Sequence, residues 1–153
     1  MQSNYTVLSM YHILYVDDDP TLLDIGKLFL EGSVDFSVTT ILSASEGIRL
    51  LEKEKFDAII SDYQMPDMDG IQFLIELRKN FGKIPFILFT GRGREEVVIE
   101  AINSGVDFYL QKGGKPGAQF AELSHKIKNE VEHHRAAEKI EALNKLYSVW
   151  CRC

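Results

Sequence analysis

Residues 13–20 read ILYVDDDP, and this stretch decides the fold. Together with Tyr11 and His12, the apolar run makes a short buried strand that ends at three aspartates. Asp19 and Pro20 then open a helix, because Asp is a favoured N-cap and Pro a favoured first helical residue. A buried strand that passes directly into a helix is the repeating unit of an α/β domain.

The same unit recurs four more times along the chain. We expect the further strands at residues 36–42, 58–60, 84–89 and 106–110, each followed by a helical pattern. Ser43 or Ser45 should cap the second helix, Gly105 should end the fourth in a left-handed conformation, and Pro116 should open the fifth. Continuous apolar strands that alternate with helices indicate a parallel sheet buried on both faces. The fold class is therefore α/β, a doubly wound five-stranded parallel sheet with an extended C-terminal helix.

Composition limits the function. The chain has 153 residues, about one domain, and its formal net charge of −6 with scattered Lys and Arg disfavours a nucleic-acid surface. The two cysteines, Cys151 and Cys153, are too few for a zinc site. Residues 13–16, the longest apolar stretch near the N-terminus, are too short for a membrane span or a secretion signal. We therefore expect a cytoplasmic protein without nucleic-acid or membrane partners.

Polar side chains follow four of the five expected strands. Asp17 and Asp18 come directly after the first strand, Asp62 follows the third, Thr90 the fourth and Lys112 the fifth. The carboxyl ends of parallel strands share one edge of the sheet, so these side chains should meet there. Each residue alone has an ordinary explanation as a cap, a turn residue or a solvated charge. Their joint placement favours a functional site.

The residue types predict phosphoryl chemistry. Three neighbouring carboxylates repel one another, and a divalent cation relieves that repulsion. Oxygen ligands without His or Cys suit Mg²⁺ or Mn²⁺. A threonine hydroxyl and a lysine ammonium aimed at the same place would bind phosphoryl oxygens. The expected reaction is phosphoryl transfer to an aspartate.

Four motifs in this order resemble those of response-regulator receiver domains, the input modules of two-component signalling. They are ILYVDDDP at 13–20, DYQMPDMDG at 62–70, FTG at 89–91 and YLQK at 109–112. The resemblance covers roughly residues 11 to 130. It implies a (βα)5 flavodoxin-like fold and a phosphorylation-controlled switch.

The resemblance also implies a role for the three aspartates at the strand ends and for one backbone carbonyl. Asp62 would accept the phosphoryl group from the phosphohistidine of a histidine kinase or phosphotransfer protein. Asp17 and Asp18 would hold Mg²⁺ together with the Asp62 carboxylate, and the backbone carbonyl of Gln64 would be a further ligand. The metal would be Mg²⁺, or Mn²⁺ in its place.

Four further residues take implied roles around the phosphoryl group. Lys112 would pair first with Asp62 and then with the phosphoryl oxygens, while Thr90 would donate a hydrogen bond to them. Gly91 would leave room for the group to approach. Tyr109 would be the rotameric switch that turns inward on phosphorylation. The surface of the fourth helix, fifth strand and fifth helix would change as a result.

The sequence departs from the family in two loops. Proline usually follows the lysine, but Gly113 and Gly114 stand after Lys112 here. We therefore expect a looser loop and a less rigidly placed lysine. Residues 91–94 read GRGR, and the two glycines predict a flexible connection after the fourth strand.

The predicted domains are a lead-in at 1–10, a receiver domain at 11–131 and a helical extension or linker at 132–153. Apolar residues recur in the extension at alternating spacings of four and three, at Ala136, Ile140, Leu143, Tyr147 and Trp150. This stripe would either pack on its own domain, or dimerise or connect to an output domain. A homodimer could form through it, or through the fourth helix, fifth strand and fifth helix.

Two other functions remain open from the residues. A Mg²⁺-dependent phosphatase that forms aspartyl phosphate would need a second acid two residues after Asp62, and Gln64 stands there. A phosphorylation-independent interaction domain would lose an acid or the lysine, and all are present. We therefore expect a signalling switch that catalyses only its own phosphorylation and dephosphorylation.

Overall fold

A computed structural model of the chain describes residues 10–33, 35–91 and 95–152. In these residues one parallel sheet has the strand order β2-β1-β3-β4-β5. The strands are β1 Tyr11–Val16, β2 Phe36–Ile41, β3 Ala58–Ser61, β4 Phe86–Thr90 and β5 Phe108–Gln111. The helices are α1 Pro20–Glu31, α2 Ala44–Leu51, α3 Gly70–Asn80, α4 Glu95–Asn103 and α5 Pro116–Trp150. The predicted fold class is confirmed.

The sheet is covered on both faces, as its apolar strands predict. Along β1, Ile13 and Tyr15 point into a core shared with α1 and α5. Leu14 and Val16 point into a second core shared with α2, α3 and α4. All four side chains are fully buried. Because both faces are occupied, polar groups gather at the strand ends.

Two strands, β4 and β5, begin later than the sequence predicts, and β5 begins at Phe108 instead of 106. The contacts of Arg78 explain the difference. β4 begins at Phe86 instead of 84, and the guanidinium of Arg78 donates a 2.6 Å hydrogen bond to the carbonyl of Ile84. The same guanidinium donates to Asp107 Oδ2 at 2.8 Å. That carboxylate oxygen also accepts from the Phe86 amide at 2.8 Å. Side chains therefore take the place of strand pairing at this end of the sheet.

The helix boundaries follow local chemistry. Asp19 caps α1 by accepting from the amides of Thr21 and Leu22, and Ser43 caps α2, both as predicted. Gly105 follows α4 with a positive φ of 94°, also as predicted. Residues 92–94, where we expected a flexible connection, lie outside the described residues, as do residues 1–9 of the predicted lead-in and Cys153.

α5 is one continuous helix of 35 residues. Its Phe120, Leu123, Ile127 and Val131 are buried against the sheet, at the spacing that the sequence predicts. Contact with the domain continues one turn further, where the guanidinium of Arg135 lies 3.1 Å from Asp57 Oδ1. The helix is unbroken at 131, and the predicted domain boundary there stays a prediction.

The distal part of α5 leaves the domain. Ile140, Leu143, Tyr147 and Trp150 are between 57% and 78% exposed. The alternative that this stripe packs on its own domain is therefore wrong, because these apolar side chains stay exposed to solvent. Within the described ranges, none of the helices combines the length and apolar character needed to cross a bilayer.

Candidate functional site

Three carboxylates converge at the carboxyl edge of the sheet. β1 and β3 are neighbours, and the amide of Asp62 donates a 2.9 Å hydrogen bond to the carbonyl of Val16. This pairing brings Asp62 beside Asp17 and Asp18. One carboxylate oxygen from each of the three lies within 4.8 Å of the others. The structure therefore brings together the acids that strand-end placement predicts.

Asp17 is the buried member of the cluster, with 1% of its surface exposed. Its Oδ1 accepts from the Asp19 amide at 2.9 Å, and its Oδ2 accepts from Lys112 Nζ at 2.7 Å. Burial raises the pKa of Asp17, although the Lys112 and Asp19 hydrogen bonds lower it, and the neighbouring Asp62 charge raises it further. The ionised form is thus held in a place that disfavours it.

Asp62 lies half-buried beside the same lysine. Its Oδ1 accepts from the Tyr63 amide at 2.8 Å and lies 3.5 Å from Lys112 Nζ. The Lys112 amide donates to the carbonyl of Thr90 at 2.9 Å, which fixes the start of the lysine side chain against β4. Three carboxylates and one ammonium leave a formal charge of −2 in the cluster.

Asp18 and Gln64 lie on the outer side of the cluster, and both are exposed. They line an open cavity of about 400 Å³ together with Tyr63, Met65, Pro66 and Asp69. The cavity is bounded by the loop that carries Asp62. It leaves this side of the acidic cluster open to solvent.

Thr90 and Gly91 end β4 next to Lys112. Thr90 is buried, and Gly91 is exposed. A Cβ on Gly91 would lie 3.9 Å from the Cβ and Cδ of Lys112, an ordinary contact. The protein itself therefore does not require glycine at this position, and room for a phosphoryl group stays the predicted reason for it.

Tyr109 is half-buried on β5, where it packs against the core formed by α2, α3 and α4. Burial raises the pKa of its hydroxyl. The ring is neither fully enclosed nor free in solvent. Its movement on phosphorylation stays a prediction.

Gly70 is a site residue whose role the sequence did not reveal. It opens α3, and its amide donates to the carbonyl of Tyr63 at 2.8 Å. A Cβ here would collide with the backbone carbonyl of Asp62 and would lie 2.9 Å from Leu88 Cδ1. Glycine is therefore needed for α3 to pack against the backbone of Asp62.

Gln119 is the second residue that the sequence did not reveal. Its side chain makes one hydrogen bond to the carbonyl of Gln111 and one to the amide of Gly113. These groups lie on either side of Lys112, so the loop has two side-chain contacts that the sequence does not indicate. The expectation of a looser loop at the two glycines stays a prediction. A glutamine in the first turn of a helix is common, so the sequence carries no signal that predicts this role.

The chain is similar in sequence to proteins of one known family. Residues 13–124 match the family described as the response regulator receiver domain. The transcriptional regulatory protein GlrR of Escherichia coli (strain K12) is 42% identical over 101 residues, which are 66% of this chain and 22% of GlrR. The response regulator SaeR of Staphylococcus aureus (strain USA300) is 30% identical over 132 residues, which are 86% of this chain and 57% of SaeR.

A solved structure agrees with the sequence matches. The CheY-like response regulator receiver domain protein from Methanospirillum hungatei JF-1 has a TM-score of 0.72 and 30% identity, over 82% of this chain and 99% of that one. The class defined by this fold and site is a switch module of two-component signalling. The chain belongs to the response regulator receiver domain family. It spans only part of GlrR and SaeR, about a fifth and just over half of their lengths.

Proposed function

We propose that Asp62 accepts a phosphoryl group from the phosphohistidine of a histidine kinase or a phosphotransfer protein, in the cytoplasm. The observation that carries the proposal is the group of three carboxylate oxygens within 4.8 Å, with the Lys112 ammonium against two of them. A strong negative cluster with one mobile cation suits a site that receives a metal and then a phosphoryl group.

The donor set fits Mg²⁺ or Mn²⁺. It consists of oxygen atoms, and the formal charge of −2 that the three carboxylates and the Lys112 ammonium carry together matches a divalent cation. Both oxygens of Asp17 already accept one hydrogen bond each. Asp18 and Asp62, with the backbone carbonyl of Gln64, would therefore supply the freer ligands. When bound, the ion offsets the charge that builds up between the carboxylate and the phosphoryl oxygens.

The chain's own residues would then direct the transfer. Among the described residues, the donors to Asp62 contact Oδ1, which leaves Oδ2 to attack phosphorus. The bond from phosphorus to the donor's histidine nitrogen breaks as the new bond forms. Lys112 would move from Asp17 toward the phosphoryl oxygens. It would stabilise the developing charge by a charge-assisted hydrogen bond.

The switch would run from Thr90 to Tyr109. A new dianion on Asp62 favours the state in which the Thr90 hydroxyl approaches it. Tyr109, already half-buried, would move into the space that Thr90 leaves. Gly91 would admit the phosphoryl group beside Lys112. The surface of α4, β5 and α5 would carry the change to a partner.

The two alternative functions are less well supported. The side chain of Gln64 is exposed above the cluster, and an amide cannot relay the proton that a phosphatase needs. An interaction domain that works without phosphorylation would not need the acids and lysine that converge here. We propose that the protein catalyses only its own phosphorylation and dephosphorylation.

The distal part of α5 would join two copies of the chain. Its exposed Ile140, Leu143, Tyr147 and Trp150 recur at the spacing of a two-stranded coiled coil. Such a seam is buried only when a second helix covers it. A dimer through α4, β5 and α5 is the other possibility for the same chain. Each would bring two receiver domains together.

One labelling experiment tests phosphoryl transfer. The protein is incubated with Mg²⁺ and phosphoramidate, and its intact mass is measured over time. We expect one phosphoryl adduct on the wild type, none on Asp62→Asn, and none when Mg²⁺ is removed by chelation. Asp67→Asn is the matched control, because Asp67 is exposed in the same loop and has a positive φ that Asn tolerates. An undiminished adduct on Asp62→Asn, or no adduct on the wild type, would refute the proposal.

A further inference from the structure

Gln119 holds the backbone on both sides of Lys112. Its Nε2 donates a 2.7 Å hydrogen bond to the carbonyl of Gln111, and its Oε1 accepts from the amide of Gly113 at 3.3 Å. The Lys112 amide itself donates to the carbonyl of Thr90 at 2.9 Å. The chain is therefore tied before, at and after the lysine.

The sheet edge explains why a side chain is needed here. β5 is the last strand in the order, and successive backbone groups of a strand face alternate sides. The Lys112 amide faces β4, so the carbonyl of Gln111 and the amide of Gly113 face away from the sheet. At an edge such groups have no strand to pair with. The amide of Gln119 supplies one donor and one acceptor in a fixed plane, as a neighbouring strand would.

The two glycines open the path for this side chain. Gly113 has a φ of 131°, which side-chain-bearing residues rarely adopt. A Cβ on Gly114 would lie 3.2 Å from Gln119 Cγ, which is closer than ordinary contact. Glycine at 114 therefore leaves room for the Gln119 side chain, and glycine at 113 permits the backbone conformation of the loop. The two glycines that depart from the family pattern are therefore the residues that allow Gln119 to make its two hydrogen bonds.

We infer that Gln119 is a positioning residue, which holds the backbone of Lys112 so that the ammonium stays within reach of the place where the phosphoryl group forms. The inference rests on the proposed function of Asp62 and Lys112. The ammonium of a lysine stands at the end of a four-carbon side chain, so a small tilt of the backbone displaces Nζ by a larger distance. In the structure Nζ lies 2.7 Å from Asp17 Oδ2 and 3.5 Å from Asp62 Oδ1. The acids stand on β1 and β3, and Gln119 does not contact them.

Gln119→Met tests the bridge, because methionine has similar length and helix propensity but cannot make either hydrogen bond. We expect the rate of labelling by phosphoramidate at saturating Mg²⁺ to fall about fivefold, the scale of one net hydrogen bond. The Mg²⁺ affinity, measured by calorimetry, should stay within about twofold of the wild type. Glu122→Met is the control in the same helix, since Glu122 is exposed, and its rate should not change.

A double-variant cycle separates positioning from general loosening. In a Lys112→Met background, Gln119→Met should cause no further loss of rate, because there is no ammonium left to place. An equal loss in both backgrounds, or a wild-type rate for Gln119→Met alone, would overturn the inference while the labelled wild type still supports the proposed function. A wild type that takes no label would overturn both. Amide exchange at Gly113 should quicken in Gln119→Met, and an unchanged exchange rate would count against the bridge.

Discussion

Lys112 Nζ donates a 2.7 Å hydrogen bond to Oδ2 of Asp17, a residue 95 positions earlier in the chain. The bond joins the two ends of the domain fold at its acidic edge. Its acceptor is buried, and burial raises the pKa of that carboxyl even though the ammonium opposes the change. Burial therefore disfavours the ionised form of Asp17, while the hydrogen bond from Lys112 stabilises it.

Lys112→Met should destabilise the protein at neutral pH. The substitution leaves the Asp17 charge buried without its cation, and we expect a loss of about 1 to 3 kcal/mol in the free energy of unfolding. The loss should be smaller at pH 5 than at pH 7, because Asp17 then takes up a proton more readily. Urea unfolding at the two pH values measures both quantities. Lys128→Met is the control, because the pair of Lys128 with Asp35 is more exposed, and its removal should cost less than that of Lys112. Equal losses from the two lysines would contradict the prediction.

Asp17→Asn should stabilise the protein in the absence of Mg²⁺. The amide removes a buried charge and keeps the shape of the side chain, so we expect a gain on the order of 1 kcal/mol at pH 7. The same variant should gain less stability from added Mg²⁺ than the wild type does, because the ion no longer has that charge to offset. Thermal unfolding with Mg²⁺ and with a chelator measures both effects. A variant less stable than the wild type in the chelator would show that the lysine bond outweighs burial.

The pH dependence of that gain follows from the raised pKa of Asp17. The folded chain holds the Asp17 proton more tightly than the unfolded chain, so this group stabilises the fold at low pH, and the stabilisation is lost as the pH rises through the folded-state pKa. The advantage of Asp17→Asn should therefore shrink as the pH falls from 7 toward 4. The difference between the two proteins is the quantity to follow, since other acids such as Asp35, whose pKa Lys128 lowers, respond in the opposite direction. A constant difference would contradict the raised pKa.

Gly70→Ala should destabilise the fold and disturb the backbone at Asp62. The new Cβ would collide with the carbonyl of Asp62 and approach Leu88 at 2.9 Å, and backbone cannot yield as a flexible side chain does. We expect a loss of about 2 to 4 kcal/mol and slower labelling by phosphoramidate. Gly117→Ala is the matched control, since among the described residues its Cβ would meet Phe29 alone, at an ordinary contact distance of 3.6 Å. It should leave stability unchanged or raise it slightly.

Tyr15→Phe should not destabilise the protein. Among the described residues, the Tyr15 hydroxyl is buried without a hydrogen-bond partner, and its removal relieves a group that would otherwise need water. We expect an unchanged or higher free energy of unfolding, by up to about 1 kcal/mol. Tyr11→Phe is the contrasting variant, because the Tyr11 hydroxyl donates to Glu132 at 2.7 Å, and it should not stabilise. A clear loss in Tyr15→Phe would indicate a buried water bound to that hydroxyl.

Leu143→Asp should prevent dimerisation through the distal part of α5. Leu143 is 57% exposed in the stripe, and a charge there would be buried in a coiled coil. Ala142→Asp places the same charge on the neighbouring exposed residue outside the stripe, and it should leave the mass unchanged. Sedimentation equilibrium of the full chain measures the mass of each. A monomeric wild type, or a dimer that survives Leu143→Asp, would contradict this interface.

The meeting of Asp17, Asp62 and Lys112 could be predicted because it depends only on strand order and on the direction of parallel strands. Those features follow from the apolar runs and their alternation with helices. The start of β4 could not be predicted, because it depends on where the guanidinium of Arg78 finds carbonyl partners. Such contacts depend on the path of two loops.

Two further features lay beyond the sequence for different reasons. The bridge by Gln119 depends on the backbone conformation of Gly113, which the letters GG leave undetermined. The periodic stripe of the distal helix was visible, but periodicity does not tell which surface covers it. The exposure of Trp150 shows that the chain's own domain does not cover the stripe.

The unbroken course of α5 makes it a lever. Arg135, held by Asp57 at the base of the sheet, is the natural fulcrum, and Trp150 lies about 22 Å beyond it at 1.5 Å per residue. A tilt of about 10° at the fulcrum would carry the tip through about 4 Å, as far as the width of a side chain. A small change in how α5 packs on the sheet would thus be amplified at the exposed tip of the helix.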